Sequence, residues 1–375
     1  MEIVHIFHSY YPTLGGIERA MERLAREQMR LGHRVHVITS FYGAEDRSKE
    51  EKLNGVFVHR VKGWRLHYPD LTIPREIPRD ILERVDVVLC WTQASFFPYR
   101  LCKEAKKLGK PIVTYFIGVD YLERHYNPLI RLFGYSYQKW VTRKIVKITD
   151  LALVTNNWER RLLKERYGID AIVLPHGVDE VYLKLTNIAR YFREKYGIDG
   201  RIIAYIGRIH PTKGLDLLIR AFAKIARHSP GVVLVIAGKG DEKYLKKCME
   251  LAERLEMKNK IRYLGYITEE DKIAFIDASE VVVLPSIHAG ESYPLIIDEV
   301  KARRKPLVVT SYGALPLRVK NLVEGVVVNA DANSLAEGIR CVLDNIDSFK
   351  IVETPRTWSS IAKELTEILE KVARS

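Results

Sequence analysis

A chain of 375 residues is too long for one ordinary hydrophobic core and comfortable for two. Its 47% hydrophobic and 29% charged shares exclude a disordered chain, and no run reaches the roughly 18 charge-free apolar residues that a membrane span needs. The net charge of +13 suits a surface that attracts nucleic acid, anionic lipid or phosphorylated small molecules. Cys90, Cys102, Cys248 and Cys341 show no paired spacing and read as reduced core residues rather than a disulfide frame or metal site. Only three glutamines occur, Gln28, Gln93 and Gln138, amid abundant Glu, Lys and Arg, a balance that suits a thermophile.

Met1 runs straight into an apolar strand over 3–8, so no secretory leader is expected and the chain reads as cytoplasmic. Gly15-Gly16 then opens a helix over 17–31, with Ile17, Ala20, Met21, Leu24 and Gln28 on one side. Strands follow at 34–39, 56–61, 86–90, 112–116, 151–155 and 172–174, with helices near 99–108 and 158–166. A second array begins at Arg201. It has strands at 202–206, 232–237, 261–264, 281–284 and 307–310, and helices at 215–227, 244–255, 292–302 and 335–343. Apolar runs alternating with amphipathic helices predict β-α-β units and parallel sheets. The polar stretch over 176–200 joins the two arrays.

Four motifs carry chemistry. In Glu291-Ser292-Tyr293-Pro294-Leu295-Ile296-Ile297-Asp298-Glu299, two glutamates bracket the entry to a helix after the turn Pro285-Ser286. Free backbone N–H groups over Ser292–Ile296 suit a diphosphate, and an ionised glutamate accepts hydrogen bonds from neighbouring sugar hydroxyls. In Gly207-Arg208-Ile209-His210-Pro211-Thr212-Lys213-Gly214, two cations bracket a strand-to-helix turn and suit phosphate oxygens. Tyr11-Pro12-Thr13-Leu14-Gly15-Gly16-Ile17-Glu18 lets the backbone come close to a ligand at a helix start. Gly238-Lys239-Gly240-Asp241 is an incomplete Gly-x-Gly-x-x-Gly. For each, a plain turn or a solvated helix face is the alternative.

Glu-x7-Glu after a Pro-Ser turn, with Gly-Arg…Lys-Gly upstream, resembles the hallmark of family 4 (group 1) retaining glycosyltransferases. That resemblance spans roughly 3–373. It implies an α/β, GT-B architecture: two Rossmann-like β/α/β domains facing across a deep cleft, here 1–180 on the acceptor side and 181–355 on the nucleotide-sugar side. The Trp358 that precedes a last helix implies that 356–375 crosses back to the first domain. By resemblance, Glu291 faces the donor sugar, Glu299 holds the ribose, and Arg208 and Lys213 stabilise the departing diphosphate in place of a metal. Gly15, Gly16, Gly207, Gly238, Tyr266, Ser292, Tyr293, Pro294 and Leu295 fall on donor-binding positions, with Tyr266 at the loop that meets the base. Pro175-His176-Gly177-Val178-Asp179 is similar to the family's interdomain linker.

The implied activity is metal-independent, retaining transfer of a hexose from a UDP- or GDP-sugar to a saccharide or lipid-linked acceptor, with no cofactor. The chain departs from the family where a histidine is common after the strand at 112–116; Phe116 or Ile117 stands there, and Asp120 and Tyr121 are the next acceptor-side candidates. No Asp-x-Asp occurs, which argues against the metal-dependent class. The basic, aromatic segment 127–147 suits an anionic membrane surface; a buried helix edge with a solvated basic side is the alternative. Nucleic-acid binding lacks any reader motif. A nucleotide-sugar epimerase on the same fold and a non-catalytic donor-binding partner of another transferase remain alternatives.

Overall fold

The computed structural model describes residues 1–13, 15–64, 71–92, 94–124, 127–184 and 186–374; Leu14 and Gln93 lie outside them. The chain forms two compact units, Met1–Gly177 with Arg356–Ser375, and Val178–Pro355.

In the first unit the strands are β1 (Glu2–Ile6), β2 (Arg34–Ser40), β3 (Glu50–Leu53), β4 (Val56–Val61), the short ribbon β5 (Gly63–Trp64) and β6 (Ile73–Pro74), β7 (Val87–Thr92), β8 (Ile112–Phe116), β9 (Leu151–Val154) and β10 (Ala171–Val173). Eight of them form one sheet, ordered β10-β9-β8-β7-β1-β2-β4-β3. Only β3 runs antiparallel, against β4. Its sequence Glu-Glu-Lys-Leu carries no alternation to announce a strand, and charge is what an exposed sheet edge tolerates. The central strands are continuously buried, as β7 and β8 show, because helices cover both faces of a parallel sheet. Those helices are α1 (Gly16–Arg30), α2 (Arg79–Arg84), α3 (Phe96–Lys107), α4 (Tyr135–Val146) and α5 (Asn157–Tyr167).

The second unit contains α6 (Ala189–Tyr196), β11 (Arg201–Ile206), α7 (Leu215–Ala226), β12 (Val232–Ala237), α8 (Glu242–Arg254), β13 (Ile261–Gly265), α9 (Glu269–Ala278), β14 (Ser279–Leu284), α10 (Leu295–Ala302), β15 (Leu307–Thr310), α11 (Leu315–Arg318), β16 (Gly325–Val328) and α12 (Ala332–Asp344). Its six strands are all parallel, in the order β13-β12-β11-β14-β15-β16. Two apolar clusters fill its faces, one around Leu218, Phe222 and Ile339, the other around Tyr182, Phe192, Phe275 and Ile297.

The last helix, α13 (Trp358–Arg374), packs on α1 within the first unit. Its inner face is Trp358, Ile361, Ala362, Leu365 and Leu369. Trp358 is seated beside His176, with ring centroids 5.7 Å apart, and a β-carbon on Gly177 would strike the Trp358 backbone. No helix among the described residues is long and apolar enough to cross a membrane.

Candidate functional site

In an open parallel sheet, ligands bind outside the carboxyl ends of strands where the strand order reverses. In the second unit that point lies between β11 and β14. The loop after β11 carries Gly207, Arg208 and Lys213; the loop after β14 carries Pro285, Ser286 and Glu291. A tight turn over Pro211–Lys213, capped by His210, brings the first loop round to Gly214. Gly214 is left-handed (φ 67°), and a β-carbon there would overlap the Pro285 carbonyl oxygen, so only glycine lets the two loops touch. The Thr212 carbonyl then accepts from the Ile287 N–H at 2.9 Å.

The result is a half-buried ion pair. Lys213 Nζ donates to Glu291 Oε1, and Ser286 Oγ lies 2.7 Å from the same oxygen. The Glu291 side chain is 8% exposed and that of Lys213 25%. Burial alone would raise the Glu291 carboxyl; the Lys213 ammonium, His288 and the Ser286 hydroxyl outweigh it and hold the carboxyl below its ordinary value. Arg208 is exposed, and its guanidinium makes no hydrogen bond or ion pair among the described residues. Gly238 (φ 142°) lies against the Gly207 carbonyl too closely for any β-carbon, and its N–H donates to Gly265 at 2.7 Å. The Gly-x-Gly spacing thus serves close backbone approach between neighbouring loops. Tyr266, just past β13, is 61% exposed, with Lys239 Nζ 5.9 Å from its ring centroid.

The helix after Glu291 is shorter than its sequence suggests. It begins at Leu295, with Pro294 as N-cap, rather than at Ser292. Proline pushes the preceding residue out of the helical region, so Ser292 and Tyr293 stay in the loop. Ser292 is buried, and Tyr293 lies beneath the Arg318 guanidinium, 3.4 Å from its ring centroid. Arg318 in turn donates to Asp298 at 2.5 Å. Glu299, in the second turn of α10, is 7% exposed at its side chain and pairs with Lys272 Nζ of α9 at 2.9 Å. Ser286, Lys272 and Arg318 were not singled out from the sequence. Only Ser286 had a local sign, its place in the Pro-Ser turn; the other two reach the site from separate elements.

The remaining residues lie in the first unit. Gly15 is the N-cap of α1 and Gly16 its first residue, and the Glu18 carboxylate folds back over Gly15 while accepting from Ser9. Asp120 and Tyr121 follow β8 and are both buried. Asp120 adopts a left-handed backbone (φ 56°); its carboxylate accepts from Tyr167 and, at 2.8 Å, from Arg166. Among the described residues, no group of three or more His, Cys, Asp or Glu could hold a metal ion.

The family model described as Glycosyl transferases group 1 matches residues 190–370, and that described as Glycosyltransferase Family 4 matches 14–181. The chain is 26% identical to an uncharacterized glycosyltransferase of Methanocaldococcus jannaschii over 98% of this chain and 97% of that one. It is 24% identical to the GPI3 subunit of the Saccharomyces cerevisiae phosphatidylinositol N-acetylglucosaminyltransferase, over 97% of this chain and 81% of the relative. Among solved structures, Anabaena HepE in complex with UDP and glucose superposes with a TM-score of 0.76 at 16% identity, over 98% of this chain and 99% of that one. The chain belongs to the group 1 glycosyltransferases, with a family 4 amino-terminal half and the GT-B fold.

Proposed function

We propose that this glycosyltransferase moves a hexose from a UDP- or GDP-sugar to a saccharide or lipid-linked acceptor, with retention and without a metal. The observation that carries the reading is the Lys213–Glu291 pair at the β11/β14 switch point, with Arg208 exposed beside it. Glu291 accepts hydrogen bonds from the sugar hydroxyls, and Glu299 accepts them from the ribose. Arg208, Lys213 and the N–H groups at the start of α10 take the charge that grows on the leaving diphosphate. The bond from the anomeric carbon to the diphosphate oxygen breaks. The acceptor oxygen bonds to that carbon on the same face, and its proton ends on the released nucleoside diphosphate. Gly15 and Gly16 serve the donor and the Asp120–Tyr121 loop the acceptor; since Asp120 is tied to Arg166, it shapes that loop rather than attacking.

A lipid-linked acceptor at a cytoplasmic membrane face is favoured by one surface. Leu129, Leu132 and Phe133 are 67%, 64% and 69% exposed, and Trp140 is exposed one helix further on. Arg131, Lys139, Arg143, Lys144 and Lys147 accompany them. Apolar tips among cations suit an anionic bilayer surface, and a relative's name includes phosphatidylinositol. Co-sedimentation with phosphatidylglycerol vesicles, but not phosphatidylcholine, is expected, and Phe133→Asp should abolish it.

The function is tested by a thermal-shift and hydrolysis panel of UDP-, GDP- and ADP-sugars in EDTA, on wild type and Glu299→Ala. One nucleotide should stabilise the wild type alone, and the sugar released should keep its anomeric configuration. Absence of any shift would sink the donor assignment and leave a binding partner without activity; a rearranged sugar nucleotide with no acceptor would point to an epimerase.

A further inference from the structure

Glu299 is not presented by its own helix alone. The Lys272 ammonium, on α9, donates to Glu299 Oε2 at 2.9 Å and to Glu269 Oε1 at 2.9 Å. Its side chain is only 11% exposed and runs over Tyr182, with Nζ 5.4 Å from the ring centroid. The Tyr182 hydroxyl donates to Glu269, closing a ring of three side chains, Lys272, Glu269 and Tyr182, from which Lys272 reaches Glu299. Tyr182 is itself fixed. It is fully buried, and Arg303, at the carboxyl end of α10, donates to the carbonyls of Tyr182, Lys184 and Thr186 and forks onto Asp277 of α9 at 2.8 and 2.7 Å. Two cations therefore tie α9 and α10 to each other and to the backbone carbonyls of Tyr182, Lys184 and Thr186.

A glutamate carboxylate turns easily about its last torsion. A pair of vicinal hydroxyls, however, needs acceptor oxygens set at one angle. An ammonium that is itself held by a second carboxylate and a ring face can set that angle, and a charge-assisted bond is strong enough to keep it. The carboxylate has about four acceptor sites, so the bond to Lys272 leaves capacity for a ligand.

We propose that Lys272 is a positioning residue, which orients the Glu299 carboxylate to accept the 2′ and 3′ hydroxyls of the donor ribose. The proposal rests on the donor-site reading above. It makes α9, which carries no motif, part of the selection for ribonucleotides.

The test is calorimetric titration with UDP and GDP and with their 2′,3′-dideoxy forms, on wild type, Glu299→Gln, Lys272→Met and Lys272→Arg. Lys272→Met keeps an apolar contact with Tyr182 but loses the charge. It should weaken the ribo form by about tenfold and leave the dideoxy form unchanged. Lys272→Arg should restore most of the difference. A Lys272→Met protein that binds the ribo form like wild type, or loses both forms equally, overturns the proposal while the donor site stands. If Glu299→Gln leaves the preference for ribose intact, or no nucleotide binds the wild type, the donor-site reading fails and Lys272 falls with it. Should Lys272→Met not fold, Lys272→Gln carries the same test, because its amide keeps one neutral hydrogen bond. A smaller loss confined to the ribo form supports the proposal, and an equal loss of both forms overturns it.

Discussion

Lys213 pairs with Glu291 and, in the proposed mechanism, also meets the leaving diphosphate, and these two roles separate with pH. As a counter-charge it keeps Glu291 ionised in a buried place. Lys213→Met leaves that carboxylate unpaired, which should cost about 2–3 kcal/mol of stability at pH 7, read by urea unfolding. In the wild type the folded carboxyl lies below its ordinary value of 4.5, so the pair's contribution is present above that pH and fades as pH falls through the folded value. In the variant, burial is opposed only by His288 and the Ser286 hydroxyl, so the carboxyl should rise. The deficit relative to wild type should therefore shrink below about pH 5, where the variant's glutamate protonates and no buried charge is left. On the proposed mechanism transfer should fall at every pH, because the leaving diphosphate loses one of its two cations. A deficit independent of pH would show that the pair does not control Glu291. Histidines supply a second acid signal. Burial lowers His5 to about 4 and His8 to about 3, from 6.5. Unfolded chains then bind protons that the folded protein refuses, so stability should fall as pH drops from 6.5 toward 4, by about 1.4 kcal/mol per pH unit for each histidine. His8→Gln should reduce that slope by one histidine's share.

Among elements, the loops matter more than the helices they join. Gly214→Ala puts a β-carbon against the Pro285 carbonyl and forces a left-handed backbone on alanine. A loss of about 2–3 kcal/mol in unfolding free energy is expected, together with loss of transfer, since the turn that carries Lys213 must move. An active, equally stable variant would mean that the β11 and β14 loops do not depend on that contact. The buried parallel strands are legible in the sequence as short, nearly unbroken apolar runs: 112–116, 232–237 and 307–310 are predicted at their observed limits. α9 and β3 carry no period that the sequence would reveal. Seven residues of α9 between Asp271 and Ala278 are buried, on all its sides, so it shows no amphipathic stripe; β3 is charged and antiparallel. The start of α10 was read three residues early, because Ser292 looks like a cap until the effect of Pro294 on Tyr293 is counted.

For the whole molecule, the end of the chain completes the first unit. A chain stopped after Pro355 would strip α13 from α1 and expose the apolar side that holds Ile17, Ala20, Met21 and Leu24. Aggregation on expression is expected, while Trp358→Ala in the full chain should cost about 3–5 kcal/mol and stay soluble; a soluble, cooperatively folding truncation would show that α13 is dispensable. Local pattern in the chain is enough for the alternation of strands and helices, the parallel sheets, and the chemistry available in Glu291, Glu299, Arg208 and Lys213, because periodicity and motif spacing are local properties of a chain. Which loops meet follows from long-range packing alone. That packing set β11 beside β14, paired Lys213 with Glu291 over 78 residues of chain, and brought Lys272 to Glu299. Strand order and buried ion pairs are choices among distant segments, made by the packing of a common core, and no local pattern records them.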